Sequence, residues 1–329
     1  MEALTPRSDH VSMAGYDRAG AREDFHGLNL SPGEELLLRG AVPERALRWA
    51  AAAAGGVGAR VRCSQALVGG TSSAVHALTV DGDGGRVHEL VLRRFVRADW
   101  LAEEPDVAER EAAALMLLAD RGLPTPRLVA VDPDGAAVGV PAVLMTRLSG
   151  RIDWDPPELG PFLRRLVDPL PTIHATPLPA ATVLPDYRPY ALKLRRAPVW
   201  AARPDVWLRA FELLDAPPPS SERAVIHRDY HPGNVLWRGG RVSGVVDWVN
   251  TSVGCPWADV GHCRVNLASE FGQPAAERLL ELYRVAAGRG DDYHPYWDVA
   301  AAVGGLDDDV DDVLSPADES FLIAAVARL

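Results

Sequence analysis

The sequence predicts an α+β protein of two lobes, a β-rich first half and a mostly helical second half. Three observations carry that expectation. Short β-prone runs crowd residues 60–96 and 128–145, and strand patterns become rare beyond 148, where helical periods broken by prolines take over. Within the helical half, a polar loop between the apolar runs of Val225–Trp237 concentrates a carboxylate, two imidazoles and a carboxamide.

Taken in order, residues 1–40 mix Pro, Gly and Ser with no sustained period and read as a loosely packed leader without chemistry of its own. Pro43 to Ala54 is expected to be a helix, with Pro43 in its first turn, an alanine body and Gly55-Gly56 as its stop. Strands follow at Val61–Val68, Ala74–Val80 and Val87–Val96, with Asp81 to Gly85 as a turn before the last. Between the first two lies Gly69-Gly70-Thr71-Ser72-Ser73, a loop of small residues whose backbone N–H groups could approach an anion.

Asp106 to Arg121 forms an amphipathic pattern with Glu111 as its inward carboxylate. A hairpin over Leu128–Val131 and Val138–Met145 then leads to the connector Thr146–Gly150. The lobe boundary falls there, giving 41–148 as the first lobe and 149–329 as the second. Helices are expected at Pro157–His174, Arg188–Arg196, Asp205–Leu214, Trp257–Leu267, Pro274–Ala287 and Pro316–Leu329.

Composition excludes several classes. With 47% hydrophobic and 24% charged residues in 329, the chain is long enough for two cores. A net charge of −11 and the absence of basic clusters argue against a nucleic-acid partner, while a cationic small molecule is compatible with it. Three cysteines without a CxxC pair read as reduced thiols. With no apolar leader region and no run near the ~18 apolar residues of a membrane helix, the expected location is the cytoplasm, off the membrane.

The chemistry concentrates in His227-Arg228-Asp229-Tyr230-His231-Pro232-Gly233-Asn234, followed by Val235-Leu236, a Gly239-Gly240 turn, and Val245-Val246-Asp247. Asp229, Asn234 and Asp247 are candidates for one site. His227, Asp229 and His231 alternate, so on a strand they would share a face and could chelate zinc, which keeps a metal-dependent hydrolase in view. Against that reading, Pro232-Gly233 indicates a loop.

The pattern His227-x-Asp229-x-x-x-x-Asn234, with Asp247-Trp248 eighteen positions after Asp229 (247 minus 229), resembles the aminoglycoside phosphotransferase and choline-kinase-like small-molecule kinases, which share the protein-kinase-like two-lobe fold. The resemblance spans roughly residues 45–300. It implies an ATP- and Mg²⁺-dependent transfer of the γ-phosphate to a hydroxyl of a small molecule. Asp229 would orient and deprotonate that hydroxyl, and Asn234 and Asp247 would offer oxygen ligands to Mg²⁺.

The resemblance also assigns the nucleotide contacts. The loop Gly69 to Ser73 would cover the phosphates, Arg93 would grip them and pair with Glu111, and Met145 to Leu148, including Thr146, would meet adenine. His227 and Asp259 would support the catalytic loop. Arg93 stands where the family usually has lysine, and a planar guanidinium is not a like-for-like replacement for an ammonium. That departure motivates the alternative of a non-catalytic nucleotide-binding protein of the same fold. His174 and His231 are read as packing and loop residues, Asp307–Asp312 as a solvated run, and Trp297 and Asp298 as acceptor-pocket candidates.

Overall fold

The computed structural model describes residues 32–67, 73–189, 195–304 and 314–329. They form two compact units: 32–67, 73–119 and 125–148 in the first, and 120–124 with the rest from 149 onward in the second.

The first unit is built on an antiparallel sheet of five strands in the order β1-β2-β3-β5-β4, namely β1 (Arg60–Ala66), β2 (Ala74–Asp81), β3 (Val87–Arg94), β4 (Leu128–Asp132) and β5 (Ala142–Thr146). Alternation sorts the side chains of the central strands onto two faces. Leu78, Val80, Leu90, Leu92, Ala142 and Leu144 pack beneath helix α2 (Glu44–Gly55), whose Ala46, Ala50 and Ala51 allow close approach. Arg93 is directly opposite Val75 on one side and Val143 on the other, so it belongs to the other face. There it meets Glu111 of helix α4 (Val107–Leu118).

Several elements depart from the sequence reading. The end of the expected leader is a helix, α1 (Pro32–Arg39), with Glu34 and Glu35 in its first turn and Arg39 in its last, charges that suit the helix dipole. A short helix α3 (Ala98–Glu103) precedes α4. The strand expected from Val138 begins only at Ala142, because the carboxylate of Asp132 accepts the N–H groups of Ala137 and Val138 and closes a loop that Gly135 and Gly139 turn at positive φ.

The second unit holds α5 (Leu159–Val167), α6 (Leu170–His174), α7 (Pro204–Leu214), α8 (Pro256–Phe271), α9 (Gln273–Ala287), α10 (Tyr296–Val303) and a terminal helix Pro316–Val326. The single helix expected over 157–174 is two, interrupted where Pro169 and Pro171 remove main-chain donors. The helix expected over 188–196 falls mostly on residues outside those described, and its described ends are not helical. The run Asp307–Asp312 also lies outside the described residues. Trp207, Phe211, Val265, Val299, Phe321 and Leu322 make the core where α7, α8, α10 and the terminal helix meet.

In the same unit, β6 (Ala224–Ile226) does not pair with β7 (Val235–Arg238). It pairs with β9 (Ser252–Gly254), a strand absent from the sequence reading, while β7 pairs with β8 (Arg241–Val245). The polar loop therefore links two separate ladders. Among the described residues no helix is long and apolar enough to cross a membrane, and Cys63, Cys255 and Cys263 are free thiols.

Candidate active site

In the first unit, the guanidinium of Arg93 donates from Nη1 to Glu111 Oε1 at 2.9 Å and from Nε to Ser73 Oγ at 2.7 Å, and all three residues are buried. Burying an ion pair is tolerated only with such hydrogen-bonded company. Arg94 alternates to the opposite face, where burial lowers its pKa. Met145 lies on the Arg93 face opposite Val91, and Thr146 N–H and Arg147 N–H are spent on Arg127 O and Glu89 O. Leu148 is half-buried at the end of the segment. Gly69, Gly70, Thr71 and Ser72 lie outside the described residues.

In the second unit, the loop after β6 is shaped by one carboxylate. Asp259, fully buried on α8, accepts His227 N–H on Oδ2 at 2.8 Å and Arg228 N–H on Oδ1 at 2.6 Å. Its Oδ2 also lies 3.0 Å from His174 Nε2, whose Nδ1 lies 2.6 Å from Tyr283 OH. This grip turns Arg228 into the left-handed region at φ 69°, a conformation that costs a non-glycine residue about 1–2 kcal/mol. His227 is fully buried, with Nε2 2.9 Å from Val246 O, and its ring packs on Trp248. Tyr230, one residue past Asp229, anchors the far side of the loop through a hydrogen bond to Leu166 O at 2.7 Å.

Pro232 to Asn234 form a single 3₁₀ turn that presents Asn234 inward. The Asn234 amide donates to Asp229 O at 2.9 Å and to Asp229 Oδ2 at 3.0 Å. Val246 N–H in turn donates to Asn234 O at 3.0 Å, and Val235 is opposite Val245, so Asn234 and Asp247 emerge at the same end of the β7–β8 ladder. Asp247 adopts φ 66°, a left-handed conformation that aspartate tolerates better than most residues. With Nδ2 committed to Asp229, the Asn234 Oδ1 on the other side of the amide is a hard donor for a cation, and the Asp247 carboxylate is a second. That donor set fits Mg²⁺.

Sequence reasoning missed His262. Its Nε2 lies 2.9 Å from Asp229 Oδ1, and His231 Nε2 is 3.9 Å from the same oxygen. The signal was present: His262 follows Asp259 by three positions on α8, the spacing that puts two side chains on one face. The histidine that joins Asp229 and His231 is thus His262 and not His227, which points to a backbone carbonyl. Ligand atoms of Asp229, His231 and His262 all lie within 4.8 Å of one another. However, His231 Nδ1 accepts Gly233 N–H at 3.2 Å, so in the neutral ring Nε2 carries the proton and cannot ligate a metal. Burial holds the His231 pKa down to about 4, keeping the ring neutral at pH 7.

Of the two acceptor-pocket candidates, Asp298 is committed to ion pairs inside the fold. Asp298 is fully buried, receives Arg264 Nε at 2.9 Å and Nη2 at 3.1 Å and Arg328 Nη2 at 2.6 Å, and is also bonded to Tyr293 OH. It neutralises a buried guanidinium between α8, α10 and the terminal helix. Trp297 is buried beside it, with its ring near Tyr187 and Tyr296.

A five-stranded unit with a buried Arg–Glu pair, followed by a helical unit with an aspartate loop leading into a strand pair that ends on a second aspartate, has the kinase-like α+β fold. The chain belongs to the phosphotransferase enzyme family (APH), whose model matches residues 64–301.

Solved structures agree on the fold. A thermostable aminoglycoside phosphotransferase APH(4)-Ia, in ternary complex with AMP-PNP and hygromycin B, superposes with a TM-score of 0.59 at 18% identity, covering 82% of this chain and 94% of that one. Macrolide 2'-phosphotransferase type I gives a TM-score of 0.54 at 24% identity, covering 83% and 92%. Among curated relatives, acyl-CoA dehydrogenase family member 11 of Gallus gallus is 26% identical in an alignment of 235 residues that covers 61% of this chain and 30% of that protein. Acyl-CoA dehydrogenase family member 10 of Mus musculus is 28% identical over 193 residues, 53% and 18%. The chain therefore spans less than a third of the length of these two relatives.

Proposed function

We propose that the protein is an ATP- and Mg²⁺-dependent kinase that transfers the γ-phosphate to a hydroxyl of a small molecule. The observation that carries this reading is the Asp229–Asn234 contact at 3.0 Å, which ties the carboxylate to a residue whose other amide atom suits a metal. Asp229 accepts the hydrogen bond of the acceptor hydroxyl, holds its oxygen in line for attack and takes the proton late in the transfer. Asn234 and Asp247 hold Mg²⁺, which when bound supplies charge neutralisation along the phosphates. His227 and Asp259 keep the loop in shape.

In the first unit, Arg93, fixed by Glu111 and Ser73, binds phosphate oxygens, and the loop from Gly69 to Ser73 covers them. The segment from Met145 through Thr146 to Leu148 receives adenine. Family membership supports the reaction class, and the AMP-PNP and hygromycin B bound by the APH(4)-Ia neighbour support a nucleotide donor and a hydroxyl-bearing acceptor. The −11 net charge favours a cationic acceptor.

The test is transfer of label from γ-labelled ATP to a panel of aminoglycosides, macrolides and hydroxyl metabolites, with and without chelator. The expected result is Mg²⁺-dependent transfer that falls about 10²- to 10⁴-fold in Asp229→Ala. Unchanged turnover in that variant would overturn the mechanism, and ATP binding without any transfer or hydrolysis would leave a nucleotide-binding protein of the same fold.

A further inference from the structure

We infer that His262 is a positioning residue for Asp229, holding the carboxylate in one plane through Nε2–H, an inference that rests on the phosphotransfer reading of Asp229. Asp229 Oδ1 lies 2.9 Å from His262 Nε2, and a carboxylate can only accept. The Asn266 amide nitrogen is 3.4 Å from the same Nε2 but makes its shorter bond, 2.9 Å, to His262 O, so the close carboxylate contact decides the tautomer and Nε2 carries the proton. Asp229 Oδ2 takes the Asn234 amide at 3.0 Å. One donor on each oxygen fixes both the plane and the tilt of the group. A carboxylate offers about four lone-pair sites, so these two donors alone do not exhaust its capacity to accept.

The mount behind His262 is rigid. It sits on α8 immediately after Gly261, where an added Cβ would lie 2.5 Å from Trp297 O. Backbone therefore meets backbone between α8 and α10, and α8 cannot roll without breaking that contact. Three positions before His262, Asp259 on the same helix binds the N–H groups of His227 and Arg228. One helix thus fixes both the backbone of the catalytic loop and the side chain at its tip. An orienting donor of this kind acts by restricting the base to productive geometry, not by exchanging protons with the substrate.

The same three groups, Asp229, His231 and His262, could instead gather a transition metal if the His231 ring exchanged its proton between nitrogens. The two arrangements differ in what His262 Nε2 does, donating a proton in one and ligating in the other, and experiment separates them.

The experiment uses the full chain and ATP with water as acceptor, read as phosphate release, with metal content measured on the protein as purified. His262→Ala is expected to lower kcat about 10- to 100-fold, with the KM for ATP within about twofold of wild type. His262→Gln, which returns an N–H donor at comparable reach, is expected to recover most of the loss. The double variant with Asp229→Ala is expected to be no slower than Asp229→Ala alone. A His262→Ala enzyme with wild-type kcat, a Gln variant as slow as Ala, additive losses in the double variant, or stoichiometric zinc lost on His262→Ala would each overturn the inference. The two levels fail separately: an inactive Asp229→Ala beside a normal His262→Ala defeats only the positioning role. Wild-type turnover in Asp229→Ala, or a wild type that transfers phosphate neither to water nor to any acceptor of the panel, defeats the phosphotransfer reading and this inference with it.

Discussion

Arg228 N–H donates to Asp259 Oδ1 at 2.6 Å while Arg228 itself sits at φ 69°, so the carboxylate on α8 holds the residue beside Asp229 in a conformation its side chain disfavours. The other oxygen holds His227 N–H and lies against His174, so a single side chain satisfies one buried and one half-buried backbone donor and orients an imidazole. Asp259→Ala is expected to strand those donors at roughly 1–3 kcal/mol each and to release the strained turn. Urea unfolding should show a loss of about 3 kcal/mol or more, and phosphotransfer should fall even under conditions where the variant is folded. A variant with wild-type stability and rate would show that the loop holds its shape without Asp259.

Arg93 and Glu111 form a buried pair with side-chain exposures of 7% and 1%. Removing one partner of such a pair typically costs about 3–5 kcal/mol, because the other charge remains buried and uncompensated. Glu111→Ala is therefore expected to destabilise the protein by that amount. Arg93→Met combined with Glu111→Leu is expected to recover most of the stability while leaving nucleotide affinity low. Unfolding midpoints and ATP binding, measured on the single and double variants, separate the structural role from the proposed phosphate grip.

Much of this arrangement was legible from residue order, and the exceptions have physical causes. Strand runs around a turn rich in Asp and Gly marked β2 and β3, and register then determined that Arg93 and Arg94 face opposite sides. The motif spacing from Asp229 to Asn234 and Asp247 was readable because the intervening β7 and β8 are short and paired to each other. The partnership of β6 with β9 was not, since Ser252–Gly254 is three residues long and a bridge of that length has no periodicity to detect. His262 was also missed: its spacing from Asp259 put it on the same face of α8, but its partner Asp229 is set by the tertiary approach of the loop, which no local pattern shows. Asp298 illustrates the converse, a carboxylate with the appearance of a pocket residue that the fold consumes in pairing with Arg264.

His231 gives the protein a specific pH signature. Burial lowers its folded-state pKa from 6.5 to about 4. Between those values the unfolded chain binds a proton that the folded one does not, so stability rises with pH across the window and is lost as pH falls through it. By 1.36 kcal/mol per unit, the contribution is about 3 kcal/mol between pH 7 and pH 4. His231→Asn should flatten the stability profile between pH 6.5 and 4 relative to wild type, with little difference in slope above pH 7. Parallel profiles for the two proteins in chemical denaturation from pH 4 to 8 would show that the ring takes up its proton equally in the folded and unfolded chain.

Asn234→Asp distinguishes two roles that alanine cannot separate. If Asn234 served only as a metal ligand, a carboxylate would replace it well, since Mg²⁺ prefers anionic oxygen. Its amide, however, donates to Asp229 Oδ2 at 3.0 Å and to Asp229 O at 2.9 Å. Aspartate there removes both donors and sets two carboxylates side by side, an arrangement in which one pKa rises strongly. The variant is expected to bind Mg²⁺ at least as well as wild type yet to turn over more than about tenfold more slowly near neutral pH. The acidic limb of its kcat–pH profile should move to higher pH, because the base must now lose its proton against a neighbouring negative charge. Full activity with an unshifted profile would mean that the amide contact to Asp229 has no part in the reaction and that Asn234 acts through its oxygen alone.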